Sequence, residues 1–122
     1  MPTKGQVEAA VSDAIVRFEK EYMGRGPLEA RTYVVDDMVL VRLTGVLTRA
    51  ELQLADAGDW PGGRELIKKM RETLIEKGRP LLEAAVEGIL GRPIRSLHTD
   101  ISTVTGERFI IFVLEGPPAL EG

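Results

Sequence analysis

The first apolar stripe of the chain is the segment Val7–Tyr22. Its apolar residues recur at steps of three and four, the spacing of one face of an α-helix. Thr3 and Gln6 have the spacing of a capping box, which places the start of the helix near residue 4. Gly24 should end the helix because glycine accepts a left-handed backbone conformation, and Pro27 prevents a restart.

A first β-hairpin is predicted by the next apolar segment. Residues 30–35 and 38–46 are rich in Val, Leu, Thr and Tyr, which favour strands. Asp36 and Asp37 lie between the two segments and suit a tight turn.

Two further helices are predicted between the hairpins. Thr48 and Glu51 repeat the capping-box spacing, so a short helix should cover residues 49–56. Residues 64–90 have helical periodicity, but Pro80 should cause a kink or divide the segment into two stacked helices. The predicted apolar face of this segment consists of Leu66, Met70, Leu74, Leu81, Ala85 and Ile89, widened by Ile67, Leu82 and Val86.

A second hairpin follows. Ser96–Thr103 is a polar strand with alternating positions, and Phe109–Leu114 is an apolar strand joined to it by the turn Val104–Gly106. Because Phe109–Leu114 is apolar at every position, both faces of that strand should be covered. The order helix, hairpin, helices, hairpin predicts an α+β fold with two layers. We expect an antiparallel sheet of about four strands with helices on one face.

Composition limits the class of protein. The 122 residues amount to one domain, with an expected core over about residues 4–115 and a frayed tail over 116–122. The net charge of −3 argues against a general nucleic-acid binder. The chain has no cysteine, no signal-peptide pattern and no apolar run long enough to span a membrane. We expect a cytoplasmic protein without direct membrane insertion, held at the inner face of the membrane only through a partner.

The scarcity of heat-labile residues gives one further indication. The chain has no asparagine or cysteine, and its glutamines are Gln6 and Gln53. This composition is typical of proteins from hot environments, and a high genomic GC content is the alternative explanation.

Several motifs together resemble the MpsC family, small bacterial domains named for a component of a sodium-translocating, membrane-potential-generating system. The motifs appear in the family's order and are Glu21–Pro27, Asp37–Val39, Leu43–Thr48, Glu51, Arg79–Leu81, His98–Thr103 and Thr105–Arg108. The resemblance covers roughly residues 4–115 and carries no catalytic residues. It implies a cytoplasmic accessory component of a membrane ion or inorganic-carbon transport system. The loop around Trp60 looks longer than is usual for the family.

His98 and Asp100 are the first candidates for chemistry. They are two residues apart, so both side chains leave one face of a strand. With Arg108 across the hairpin, they could bind a small molecule or a metal ion, or act as an acid–base pair. The alternative is a polar strand surface facing solvent or another subunit, which we favour because zinc usually takes three or four protein ligands.

Arg25 is the second candidate. In Gly24–Pro27 it could hold an anion together with backbone N–H groups. The structural alternative is a helix end followed by a stop signal, and the similar segments Gly78–Pro80 and Gly91–Pro93 favour it.

Two further features have mainly structural interpretations. The basic residues of the long helical segment are interleaved with Glu65, Glu72 and Glu76, so a solvated face of mixed charge is favoured over a nucleic-acid or lipid patch. These basic residues are Arg64, Lys68, Lys69, Arg71, Lys77 and Arg79. Trp60, in a Gly- and Pro-rich loop, could anchor a partner or fold over the core.

The sheet should leave one apolar face without a helix layer. A monomer rarely leaves such a patch in water, so we predict a homodimer formed through this face or through a sheet edge.

The favoured function is a non-enzymatic accessory or regulatory domain without catalytic residues, metal or cofactor, whose partners are itself and a membrane transport complex. The alternative is a small-molecule or metal-binding protein or enzyme using the His98/Asp100 face. RNA binding is a distant third, and we expect no nucleic-acid partner.

Overall fold

The computed structural model describes residues 1–56, 58 and 62–121. The elements in chain order are α1 (Lys4–Tyr22), β1 (Glu29–Val35), β2 (Met38–Thr44), α2 (Arg49–Ala55), α3 (Gly63–Leu90), β3 (Ile94–Ile101) and β4 (Arg108–Leu114). The four strands form one antiparallel sheet in the order β1-β2-β4-β3. The predicted α+β class, with the order helix, hairpin, helices, hairpin, is confirmed.

Short sequence motifs define where the first two helices begin. The Thr3 side chain accepts a hydrogen bond from the Gln6 backbone N–H, and the Gln6 side chain accepts one from the Thr3 backbone N–H. Thr48 and Glu51 make the same reciprocal pair at the start of α2. Each pair satisfies backbone donors that the first helical turn leaves without a partner.

Each hairpin turns where the sequence predicts it. Asp36 has φ 55° in the two-residue connection of β1 and β2, a conformation that aspartate tolerates better than most residues. Gly106 has φ 74° in the connection of β3 and β4. The two hairpins join through the β2–β4 pair, in which Leu40 is opposite Ile111. This pairing brings together strands that lie far apart in the sequence.

The core lies between the sheet and the helices. Helix α1 contacts β1 and α3, and its buried apolar side chains are Val7, Val11, Ile15 and Phe18. The core-facing positions of the two central strands are almost completely buried. Their apolar members are Val39, Val41, Leu43, Ile110, Phe112 and Leu114.

Helix α3 differs from the sequence prediction in two respects. It is one helix with Pro80 inside it, so the division into two stacked helices is wrong. Pro80 and Glu76 both lie on the exposed side, where water can solvate the Glu76 carbonyl that loses its helical donor. The predicted apolar face is also displaced: Leu66, Met70 and Leu81 are exposed. The buried positions are Gly63, Ile67, Arg71, Ile75, Gly78, Leu82, Val86 and Leu90.

The C-terminal tail contacts the residues before α1 and those after α3, which lie next to each other at one end of the helix layer. The Glu121 backbone N–H donates to the Pro2 carbonyl at 2.8 Å, and Arg92 Nε donates to the Pro117 carbonyl at 3.0 Å. Within the described part of the chain, no helix is long and apolar enough to cross a lipid bilayer.

Candidate functional site

The face of the sheet that points away from the helices is the candidate functional site, which we call the open face. The strand register aligns its side chains in three rows that run across β1, β2, β4 and β3. The rows are Arg31–Arg42–Phe109–Asp100, Tyr33–Leu40–Ile111–His98 and Val35–Met38–Val113–Ser96.

The second and third rows form a continuous apolar surface over β1, β2 and β4. Tyr33 and Val35 at its edge are 44 % and 45 % exposed. Leu40 and Ile111 at its centre are only partly buried by their neighbours in the sheet. Phe109, in the first row, extends this surface and is 39 % exposed. Contiguous apolar surface of this kind marks interaction sites on soluble proteins.

The first row is charged at both ends. Arg31 forms an ion pair with Glu29. Arg42 lies 2.7 Å from Glu107 and stands over the Phe109 ring, 5.9 Å from its centroid. These carboxylates offset the repulsion between two arginines that are direct cross-strand neighbours.

The opposite end of the first row is acidic. Asp100 Oδ1 accepts a hydrogen bond from the Ile101 backbone N–H at 2.9 Å and lies 3.2 Å from Lys68 Nζ. The Ile101 N–H, with a smaller contribution from Lys68, lowers the pKa of Asp100. The Asp100 side chain is still 79 % exposed, so it presents a negative charge at the β3 edge of the open face.

The sequence candidates on the second hairpin do not converge. His98 and Asp100 both lie on the open face, and His98 Nε2 is 3.1 Å from Ser96 Oγ. Arg108 points to the opposite, helix-covered face and is 1 % exposed, with Nη1 donating to Thr99 Oγ1 at 2.8 Å. Among the described residues there is no group of three or more His, Cys, Asp or Glu that could hold a metal ion.

Arg25 connects two segments of the backbone. Its guanidinium donates to the carbonyl of Gly45 at 3.1 Å and to the carbonyl of Leu47 at 3.0 Å. These contacts fix the connection between β2 and α2 to the end of α1. Trp60, the other candidate on a loop, lies outside the described residues.

A buried group of charges lies on the helix side of the sheet, and sequence reasoning missed it. Four elements supply its members, which we call the buried charge cluster: Glu19 of α1, Glu51 of α2, Arg71 of α3 and Arg108 of β4. Arg71 Nε donates to Glu51 at 2.9 Å and Arg71 Nη2 donates to the Val46 carbonyl at 3.0 Å. The Glu19 carboxylate lies 4.0 Å from Arg71. The solvated face predicted for the basic residues of α3 is therefore wrong for Arg71.

One signal for this cluster was present in the sequence. Arg71 lies four residues from both Ile67 and Ile75, so it shares their helical face. Nothing local marks Glu19 or Arg108 as its neighbours, because these residues meet only when α1 and β4 pack against α3.

The two carboxylates of the cluster have opposite pKa shifts. Burial raises the pKa of Glu19 above 4.5, and Arg108 and Arg71 compensate only in part. Burial also acts on Glu51, but there the hydrogen bonds from Arg71 and Thr48 prevail and lower the pKa below 4.5. Glu19 therefore contributes stability that is lost as pH rises above 4.5 through its folded pKa. Glu51 contributes stability that is lost as pH falls below 4.5.

We expect Glu19→Gln to remove the part of the pH dependence that lies above pH 4.5, because glutamine does not titrate. Urea unfolding at a series of pH values measures this as a flatter profile of the unfolding free energy on that side. Glu51→Gln should flatten the acidic side instead. Glu65→Gln, on the exposed side of α3, is the control and should leave both sides unchanged. A Glu19→Gln profile parallel to that of the unsubstituted protein would contradict the assignment.

Fold and site together define a two-layer α+β protein with one helix-covered sheet face and one apolar open face. Residues 3–116 match the family described as Na⁺-translocating membrane potential-generating system (MpsC), and the chain belongs to this family. The resemblance found in the sequence motifs is thus confirmed over nearly the whole chain.

Two proteins of Bacillus subtilis (strain 168) are similar over most of their length. Uncharacterized protein YbcI is 38 % identical over 112 residues, which cover 92 % of this chain and 88 % of YbcI. Uncharacterized protein YrhF is 29 % identical over 108 residues, which cover 85 % of this chain and 84 % of YrhF. No solved structure gives a significant match.

Proposed function

We propose that the protein is a non-enzymatic accessory or regulatory subunit that works as a homodimer and docks on a membrane ion or inorganic-carbon transport complex from the cytoplasmic side. The observation that carries the proposal is the apolar open face. Its central side chains would meet water in a single copy, at a cost of about 25 cal/mol for each Å² of apolar surface left exposed.

The placement of the candidate residues supports an interaction role over catalysis. The side chains of His98 and Asp100 leave one face of the sheet and that of Arg108 leaves the other, and two of the five Arg25 N–H donors are bound to backbone carbonyls. The candidate residues therefore do not form one group of acid, base and nucleophile. The transport context is supported by the family description alone.

The size of the open face sets the affinity that should be tested. Three strands of seven residues and one of eight cover roughly 450 Å² in plan for each partner. The two partners together would contribute roughly 900 Å², which is below the about 1,200–2,000 Å² of stable specific interfaces. We therefore expect weak association, with dissociation constants in the micromolar range or above.

We expect Ile111→Glu to convert the dimer into a monomer, because it places a charge at the centre of an apolar interface. Sedimentation velocity between about 1 and 200 µM measures the change as a loss of the dimer peak. Leu66→Glu is the matched control: Leu66 is 53 % exposed on the helix layer, and its substitution should leave the dimer intact. An unsubstituted protein that stays monomeric over this range would overturn the homodimer.

The transport role has its own test. A tagged copy expressed in the native host should co-purify with subunits of a membrane transport complex from solubilised membranes. Recovery of the protein solely from the soluble fraction, with no transport subunit bound, would remove the support for this role.

A further inference from the structure

We infer that the second copy packs on the open face with its two-fold axis parallel to the strands, so that Arg31 of each copy faces Asp100 of the other. This inference rests on the proposed homodimer and adds its geometry. It follows from the order of side chains in the three rows.

Two sheets stacked face to face are related by a two-fold axis that lies in the plane between them. A rotation about an axis along the strands reverses the order of the strands and keeps each row opposite itself. Strand β1 then lies over β3 of the other copy, and β2 lies over β4. The natural twist of sheets favours such an aligned packing, with the strand directions about 30° apart.

Charge complementarity in the first row favours this axis. The row has arginine on β1 and β2 and aspartate on β3, so reversing it places Arg31 over Asp100 and Arg42 over Phe109. Both contacts occur twice in the dimer because the interface is isologous. Arg42 already stands over the Phe109 ring of its own chain, and a second arginine–aromatic contact continues the same pattern.

In the two remaining rows, the same rotation places apolar side chains opposite each other at the centre of the interface. In the second row, Leu40 comes to lie over Ile111, and Tyr33 over His98. In the third row, Met38 comes to lie over Val113, and Val35 over Ser96 at the edge. The apolar centre of one copy therefore covers that of the other, and the polar residues of β3 stay at the edge.

An axis perpendicular to the strands gives a poorer match. It keeps each strand over itself and reverses the rows, so Arg31 meets Val35 and Arg42 meets Met38. Both arginines would then lose solvent against apolar side chains without gaining a counter-charge.

A charge exchange tests the Arg31–Asp100 contact. We expect Arg31→Asp and Asp100→Arg each to raise the dissociation constant of the dimer by about tenfold or more, through like charges brought together. The double variant carrying both changes should restore the dimer in large part. Arg17→Asp, which makes the same change of charge on the exposed side of α1, is the control and should have little effect.

Cross-linking distinguishes the two axes directly. Since the chain has no cysteine, each engineered thiol is unique. Tyr33→Cys mixed with His98→Cys should be joined by a short bismaleimide, because the two positions lie about 10 Å apart across the interface. Tyr33→Cys alone should not be joined, since its two copies would be roughly 17 Å apart.

Each negative outcome has a separate meaning. A monomeric unsubstituted protein overturns the proposed homodimer. A dimer that Ile111→Glu dissociates, but that shows no charge-exchange rescue and links Tyr33→Cys to itself, overturns the strand-parallel axis and leaves the homodimer standing.

Discussion

Arg71→Met is expected to lower the free energy of unfolding by about 3–5 kcal/mol, the usual cost of breaking a buried ion pair from one side. Arg71 is 3 % exposed and is bound to Glu51 and to the Val46 carbonyl. Methionine fills a similar volume, but it leaves Glu51 and Glu19 buried without their nearest cation. Urea unfolding at a fixed protein concentration measures the loss and keeps any contribution from dimerisation constant.

A second substitution tests the electrostatic cause of this loss. Glu51→Gln in the Arg71→Met background removes the buried negative charge that has lost its arginine. It keeps a side-chain oxygen that can accept the hydrogen bond from the Thr48 backbone N–H. We expect the double variant to recover more than about 1 kcal/mol relative to Arg71→Met. Arg17→Met, the same substitution on the exposed side of α1, should change stability by about 0.5 kcal/mol or less. A loss below about 1 kcal/mol for Arg71→Met would refute this account of the cluster.

Gly78→Ala is expected to lower the free energy of unfolding by about 1–3 kcal/mol, as overpacking usually does. A Cβ atom at this position would lie 2.7 Å from Phe18 Cζ and 2.9 Å from Tyr22 Cε1. The two rings are stacked on each other with centroids 5.2 Å apart, so a shift of one ring disturbs its contact with the other. The resulting strain should outweigh the gain in helix propensity, which is about 1 kcal/mol.

Gly88→Ala in the same helix is the matched control. A Cβ atom there would have no neighbour within 4 Å. We therefore expect this variant to stabilise the protein by about 0.5–1 kcal/mol, since alanine loses less backbone entropy than glycine in a helix. We therefore expect the two substitutions to change the free energy of unfolding in opposite directions, which thermal or urea unfolding measures. A rise in both variants would show that the contact at Gly78 relaxes without cost.

The sequence predicted well those features that depend on near neighbours. Thr3 with Gln6 and Thr48 with Glu51 mark two helix starts, because a capping box acts over three residues. The connection at Asp36 and the turn at Gly106 were predicted for the same reason. The uninterrupted apolar run Phe109–Leu114 also predicted that apolar side chains leave both faces of β4.

The orientation of α3 was not predictable in this way. Its apolar residues occupy more than half of the helix circumference, so periodicity fits several orientations about equally well. Leu66 and Leu81 are exposed, while Ile67, Leu82 and the charged Arg71 turn inward. The orientation of α3 is set where α1 contacts it, at Gly78, which lets the two helices approach closely.

By itself, then, the sequence determined the helices, the hairpins, the α+β class and the family, because the signals for these act over a few residues or along a motif. The tertiary structure alone decided the pairing of β2 with β4, the meeting of Glu19, Glu51, Arg71 and Arg108, and the separation of Arg108 from Asp100 by the sheet. These features depend on which surfaces come together between distant segments, and local propensity does not encode that choice.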